Sequence, residues 1–117
     1  MNENANTAAA DEFRELTELH DMAAHACDLL KAMANEWRLM ILCQLSEGER
    51  TVSELQAMLG LSQSALSQHL AVLRREKIVK ARKHAQSVSY SLAGEDATKV
   101  MHTLHDVFCG AAKDSNE

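Results

Sequence analysis

Residues 51–75 read TVSELQAMLGLSQSALSQHLAVLRR, and this stretch decides the fold. Thr51 and Glu54 have the spacing of a capping box, so a helix is predicted to start near Val52. Val52, Leu55 and Leu59 then fall on one helical face. Gly60 supplies the left-handed backbone that ends such a helix. Ser62 is a favourable N-cap for a second helix, which carries Leu66, Leu70 and Leu73 on a single stripe. Two amphipathic helices joined by a glycine-containing corner are the helix-turn-helix pattern. The outer face of the second helix holds Gln63, Ser64, Ser67 and Gln68, all polar and uncharged. An ordinary solvated face favours Lys and Glu. Amides and hydroxyls at a helix N-terminus suit base edges and phosphates, which points to DNA recognition over the plainer reading of a polar helix in a small bundle.

Downstream of Lys77 the apolar period changes to two. Ile78 and Val79, then Val88, Tyr90 and Leu92, read as two short strands. Between them lies the polar tip Arg82-Lys83-His84-Ala85-Gln86. A basic hairpin directly after a recognition helix is the wing of a winged helix, with tip charges suited to phosphate. A last helix is predicted from about Glu95 to Gly110, with Val100, Leu104, Val107 and Phe108 as its stripe. Upstream, Asn35 caps a helix running to about Ser46, with Trp37, Met40, Ile41 and Leu45 apolar and Gly48 at its end. Before it, Leu16, Leu19, Ala23, Ala26, Leu30 and Met33 recur at helical steps from about Asp11 to Met33. Residues 1–10 are polar, Asn- and Ala-rich and aperiodic, and are expected to form a disordered tail ahead of one domain spanning 11–112. The expected fold is mainly α with a two-stranded β-hairpin. Neither outer helix is needed to build the winged core, so their stripes are expected to make a homodimer. A two-fold dimer presents two recognition helices to a palindromic double-stranded operator.

The length of 117 residues suits one domain. No apolar run is long enough to cross a bilayer. The start, MNENANTAAADEF, lacks the basic and apolar regions of a secretory signal, so a cytoplasmic protein is expected. The net charge of -5 is unevenly spread. Residues 1–36 hold eight acidic and two basic side chains, whereas residues 61–90 hold six basic ones (Arg74, Arg75, Lys77, Lys80, Arg82 and Lys83) against Glu76 alone. The positive charge thus adjoins the recognition helix, as a phosphate-facing surface requires. The expected DNA contacts are Ser62, Gln63, Ser64, Ser67, Gln68, Arg74, Arg82, Lys83 and Gln86. Three cysteines, an odd number, do not form a disulfide framework and are read as thiols, ligands or redox groups.

LLKAMANEWRLMILCQL, then TVSEL, LSQSALSQHLAVLR and a wing ending in VSYSL, resemble the ArsR (SmtB-type) family of bacterial repressors over about residues 24–109. The resemblance implies a dimeric winged helix whose outer helices form the interface, and which leaves its operator when an inducer binds. The cysteine cluster of the family's metal sensors is absent, since that position reads Thr51-Val52-Ser53-Glu54. A second family metal pattern, D-x-H, is broken at Asp96-Ala97-Thr98. Cys43 and Cys109 resemble the dithiol of the sulfide- and persulfide-sensing branch that includes SqrR, BigR and HlyU. The resemblance therefore implies Cys43 and Cys109 as the sensing pair, with reactive sulfur as inducer and no cofactor or resident metal. Cys27 has no counterpart in that pattern and leaves a three-thiol site open. His105 lies four residues before Cys109 on the same helical face, where an imidazole would lower a thiol pKa; a surface histidine is the plainer reading. His102 and His105 form a weak zinc signal. Two alternatives stand beside the persulfide sensor. One is a repressor of the same fold sensing arsenite or another thiophilic metal through its cysteines. The other is a thiol enzyme using Cys109 and His105, which has no nucleophile elbow, phosphate loop or CxxC to support it.

Overall fold

Short polar side chains placed just ahead of apolar runs set where the helices begin. The computed structural model describes the backbone of residues 3–110 and the side chains of residues 7–109. Helix α1 spans Glu3–Met33 and α2 spans Glu36–Glu47. Strand β1 (Arg50–Thr51) leads into α3 (Val52–Leu59) and α4 (Gln63–Arg75). Strands β2 (Val79–His84) and β3 (Ser87–Leu92) form the wing, followed by α5 (Asp96–His105) and a π-helical turn at Asp106–Gly110. Asn35 caps α2 by accepting the Arg38 N–H at 3.1 Å. Thr51 and Glu54 close the expected capping box, with both reciprocal bonds at 3.0 Å. Gly60 ends α3 at φ 69°, in the left-handed region. Ser62 caps α4 by accepting the Ala65 N–H at 3.1 Å.

Thr51→Ala removes one arm of that capping box. It is expected to lower stability by about 0.5–2 kcal/mol, read from urea midpoints at unchanged m-value. The Thr51 backbone N–H, then its hydroxyl, hold the Glu54 carboxyl below its usual range. Glu54's share of the stability is thus present above its unfolded pKa and lost as pH falls through the lowered folded value.

Ile41, Leu42, Leu55, Leu66, Leu73 and Ile78 are fully buried, and Leu45, Leu59, Leu70, Val79, Ala97 and Met101 complete the core around them. Each such aliphatic chain contributes about 1.5–3 kcal/mol by leaving water. Because Leu66, Leu70 and Leu73 all lie on one face of α4, the opposite face is held outward by packing.

The sheet has three strands in the order β1-β3-β2, all antiparallel. This adds a strand to the expected two-stranded hairpin. Arg50 pairs with Tyr90 and Thr51 with Ser89, a stretch too short to show a period of two. The wing is also longer and tighter than expected. Arg82, Lys83 and His84, read as tip residues, belong to β2, and the turn is reduced to Ala85-Gln86 with Ala85 at φ 48°.

Helix α1 begins earlier than expected. Residues 3–10, assigned to a disordered tail, continue the helix. Alanine is the best helix former, and no glycine or proline interrupts Ala8-Ala9-Ala10. Residues 1, 2 and 111–112 of the expected tail and domain lie outside the described residues. The C-terminal turn of α1 joins the body through Leu29, Ala32 and Met33. Arg38 of α2 donates to the carbonyls of Ala32 and Lys31, capping that end. Arg38 also approaches His69 of α4; burial first, then this guanidinium, push the imidazole pKa down. The remaining length of α1 stands away from the body, with Phe13, Leu16, Leu19, Met22 and Leu30 exposed. The radius of gyration is 19.9 Å, against about 13 Å for a compact chain of this size. Among the described residues no helix is long and apolar enough to cross a membrane.

Candidate nucleic-acid interface and thiol pair

The buried leucines of α4 leave Ser62, Gln63, Ser64, Ser67 and Gln68 exposed together at the start of the helix. Arg74 and Arg75 lie exposed in its last turn. A shallow groove of about 390 Å³ runs beside them, lined by Val52, Ser67, Ala71, Arg74, Arg75 and Tyr90. Arg75 and Tyr90 were missing from the residues expected to face DNA. Arg75 is visible in the charge run, but Tyr90 reads as an ordinary strand residue until the sheet brings it beside α4.

On the wing, Lys83 and Gln86 are exposed. Among the described residues Lys83 makes no ion pair, whereas Arg82 is paired with Glu49. Glu49 also meets His84 Nε2 at 3.3 Å. These partners hold the Glu49 carboxyl below its usual range: the His84 hydrogen bond most, then the hydrogen bonds and charge of Arg82, with Ser89 adding a further bond against the opposing effect of burial. Glu49 carries no sequence signal, because it lies in a loop between two elements and belongs to no motif.

Cys27, Cys43 and Cys109 are all free and exposed at the surface. Cys27 lies along α1, Cys43 in α2 and Cys109 in the π-helical turn that follows α5. Burial pushes the Cys43 thiol up, and charge on Cys109, then on Glu47, pushes it further in the same direction. Helix α2 packs against α5, and Cys43 and Cys109 thereby come within electrostatic reach of each other despite the 65 positions between them. Among the described residues no hydrogen bond joins His105 to Cys109; His102 Nδ1 instead lies 3.4 Å from the Asp106 carboxylate. No group of three or more His, Cys, Asp or Glu side chains converges to hold a metal ion among the described residues.

Residues 35–81 match the model of the bacterial regulatory protein family arsR. The chain is 51% identical over 96 residues to the transcriptional activator HlyU of Vibrio cholerae, covering 82% of this chain and 89% of that one. The structure of reduced Vibrio cholerae HlyU superposes with a TM-score of 0.76 at 51% identity, over 79% of this chain and 97% of that one. The transcriptional repressor BigR from Xylella fastidiosa superposes with a TM-score of 0.73 at 35% identity, over 80% and 95%. A homodimeric winged helix-turn-helix DNA-binding domain from Mycobacterium bovis, Mb0332, gives a TM-score of 0.72 at 27% identity, over 81% and 88%. These similar proteins are transcriptional regulators and none is an enzyme, which removes the thiol-enzyme alternative.

Proposed function

Because the chain belongs to the arsR family of bacterial regulatory proteins, we propose that this DNA-binding transcriptional regulator is a homodimeric repressor that releases its operator when reactive sulfur bridges Cys43 and Cys109. The observation that supports the reading is that α2, which carries Cys43, packs against α5, whose following turn carries Cys109, with both thiols free and exposed. The raised Cys43 thiol is a poor first nucleophile at neutral pH. In the proposed order, sulfur transfer begins at Cys109 and Cys43 closes the bridge. The Cys109 thiolate attacks the central sulfur of a trisulfide donor, breaks one S–S bond and expels one thiolate, which leaves that sulfur bound to Cys109 Sγ and still joined to the donor's other end. Cys43, as thiolate, then attacks the sulfur bound to Cys109 Sγ and expels the second thiolate. The donor S–S bond is reduced and the protein dithiol is oxidised by the same two electrons.

Mass spectrometry of the intact protein, after separate treatment with a low-molecular-weight polysulfide, peroxide and arsenite, tests this. A protomer closed by added sulfur, with release of DNA under polysulfide alone, is the expected result. An arsenic adduct that releases DNA, with no effect of polysulfide, would favour the metal-sensing alternative.

The DNA face is assigned by the same reading. Gln63, Ser64, Ser67 and Gln68 enter the major groove, Ser62 and Arg74 flank them, and Arg82, Lys83 and Gln86 of the wing meet the backbone. Gln68→Ala is expected to lower discrimination between operator and random DNA, by about 1–3 kcal/mol if it reads an adenine. Lys83→Ala is expected to weaken both bindings and reduce the salt slope by about one unit for each wing. Equal loss of discrimination in both variants would contradict this division.

A further inference from the structure

The carboxylate of Glu49 reaches from the loop between α2 and β1 onto the wing. Its Oε1 accepts from Arg82 Nε at 3.2 Å and its Oε2 accepts from Arg82 Nη2 at 3.1 Å. This is the two-armed arginine–carboxylate geometry, which fixes the plane of the guanidinium as well as its position. His84 Nε2 lies 3.3 Å from Oε1. Arg82 and His84 are alternate residues of β2, so they share one face of the strand, while Lys83 between them points to the other. Ser89 is the cross-strand partner of Arg82 and also favours the ionised carboxylate. One carboxylate therefore holds both Arg82 and His84 on one wing face.

The consequence for charge is specific. Arg82 is the wing residue whose cation is already compensated, and Lys83 makes no ion pair among the described residues. A cation that neutralises a phosphate releases condensed counterions, and a cation already paired inside the protein releases few.

We propose that Glu49 is a positioning and specificity-determining residue of the wing: it clamps Arg82 in a charge-compensated pose and leaves the wing's phosphate attraction to Lys80 and Lys83, which make no ion pair among the described residues. The clamp limits sequence-independent attraction by the wing and favours duplexes whose shape fits a guanidinium that cannot move. This inference rests on the DNA-binding function of the family and is independent of the thiol chemistry.

The test is the salt dependence of binding by the full-length protein, measured on a random-sequence duplex and on duplexes it selects from a random pool. In Glu49→Gln the released Arg82 charge should steepen the slope of log affinity against log salt by about one unit per wing. Binding to the random duplex near 0.1 M salt should tighten by about three- to tenfold, with a matching fall in the selected-to-random ratio. In the Glu49→Gln background, Arg82→Ala should return the slope to its ordinary value. Lys83→Ala should flatten the slope in both backgrounds. Thermal melting of each variant shows whether the wing remains folded, and a purely structural clamp would weaken both bindings without steepening either slope. An unchanged slope in folded Glu49→Gln, or a steepened slope that survives Arg82→Ala in that background, would overturn the proposal alone. Failure of the unmodified protein to bind any duplex would overturn the DNA-binding reading itself.

Discussion

Cys43→Ser and Cys109→Ser are expected to bind operator with ordinary affinity and to stay bound after polysulfide treatment, whereas Cys27→Ser releases DNA as the unmodified protein does. Both substitutions keep surface side chains small and polar, so the fold and the α4 face should survive them. What they remove is the ability to join two elements. Cys43 belongs to α2, whose Ile41, Leu42 and Leu45 lie in the core that also holds α4. Cys109 belongs to the turn after α5, next to the exposed Val107 and Phe108. A covalent tie between them couples the core to the outer helix, and so biases the setting of the recognition helix. Release then requires that the tied form binds operator more weakly, a coupling of about 1–3 kcal/mol or roughly 5–150-fold. Bridge length is the proposed source of the selectivity. A direct disulfide needs Cα atoms within about 7 Å and well-directed Cβ vectors. Each inserted sulfur lengthens the reach by about one S–S bond, roughly 2 Å. If the two Cα atoms lie farther apart than that limit, a polysulfide bridge closes with less movement of α2 and the π-helical turn than a disulfide requires. Operator affinity measured beside the mass of the treated protein decides the matter. Full release by peroxide, with a loss of two hydrogens only, would show a general thiol switch and end the selectivity argument.

The parts legible in the sequence were those with local causes. The Thr51–Glu54 capping box, the Gly60 corner and the Ser62 cap each require only a few neighbouring residues, and all three form as expected. The α4 stripe follows from one helical period and correctly separates the leucine face from the Gln and Ser face. What escaped depended on distant pairing or on weak local signals. Strand β1 exists because Arg50 and Thr51 find Tyr90 and Ser89, about forty positions away, on β3. Glu49 gains its role only when the wing folds back over it. Residues 82–84 were taken for a loop because their side chains are polar, although an exposed wing strand has no need of an apolar face. For the thiols, the pairing of Cys43 with Cys109 came from family resemblance and not from spacing. The fold adds the electrostatic proximity of the two sulfurs, which sequence separation could never show.

A doubly charged variant, Leu16→Glu with Leu19→Glu, is expected to convert the protein from a dimer to a monomer and to lower operator affinity by about 10²–10⁴-fold, the scale of a lost second binding module. Phe13, Leu16, Leu19 and Met22 are at least 60% exposed in the protomer, as is Phe108 at the far end of the chain. Scattered surface leucines are unremarkable, but Phe13, Leu16, Leu19, Met22 and Leu30 exposed along one helix are not. Each of the two leucines would contribute about 1.5–3 kcal/mol on full burial in an interface, and each glutamate would bring a desolvation cost in its place. The similarity to a homodimeric winged-helix domain gives the arrangement a precedent. Because Leu16 and Leu19 lie outside the protomer's own core, the variant should keep its helical signal, with a lower melting temperature arising from lost association. Half-site binding through one α4 should persist with the ordinary base preference, since Gln63 and Gln68 are untouched. Sedimentation at micromolar concentration, run beside binding to whole and half operators, separates the outcomes. If the unmodified protein sediments as a monomer and still binds a whole operator tightly, the dimer reading fails; if the variant remains dimeric, the interface lies elsewhere than along this half of α1.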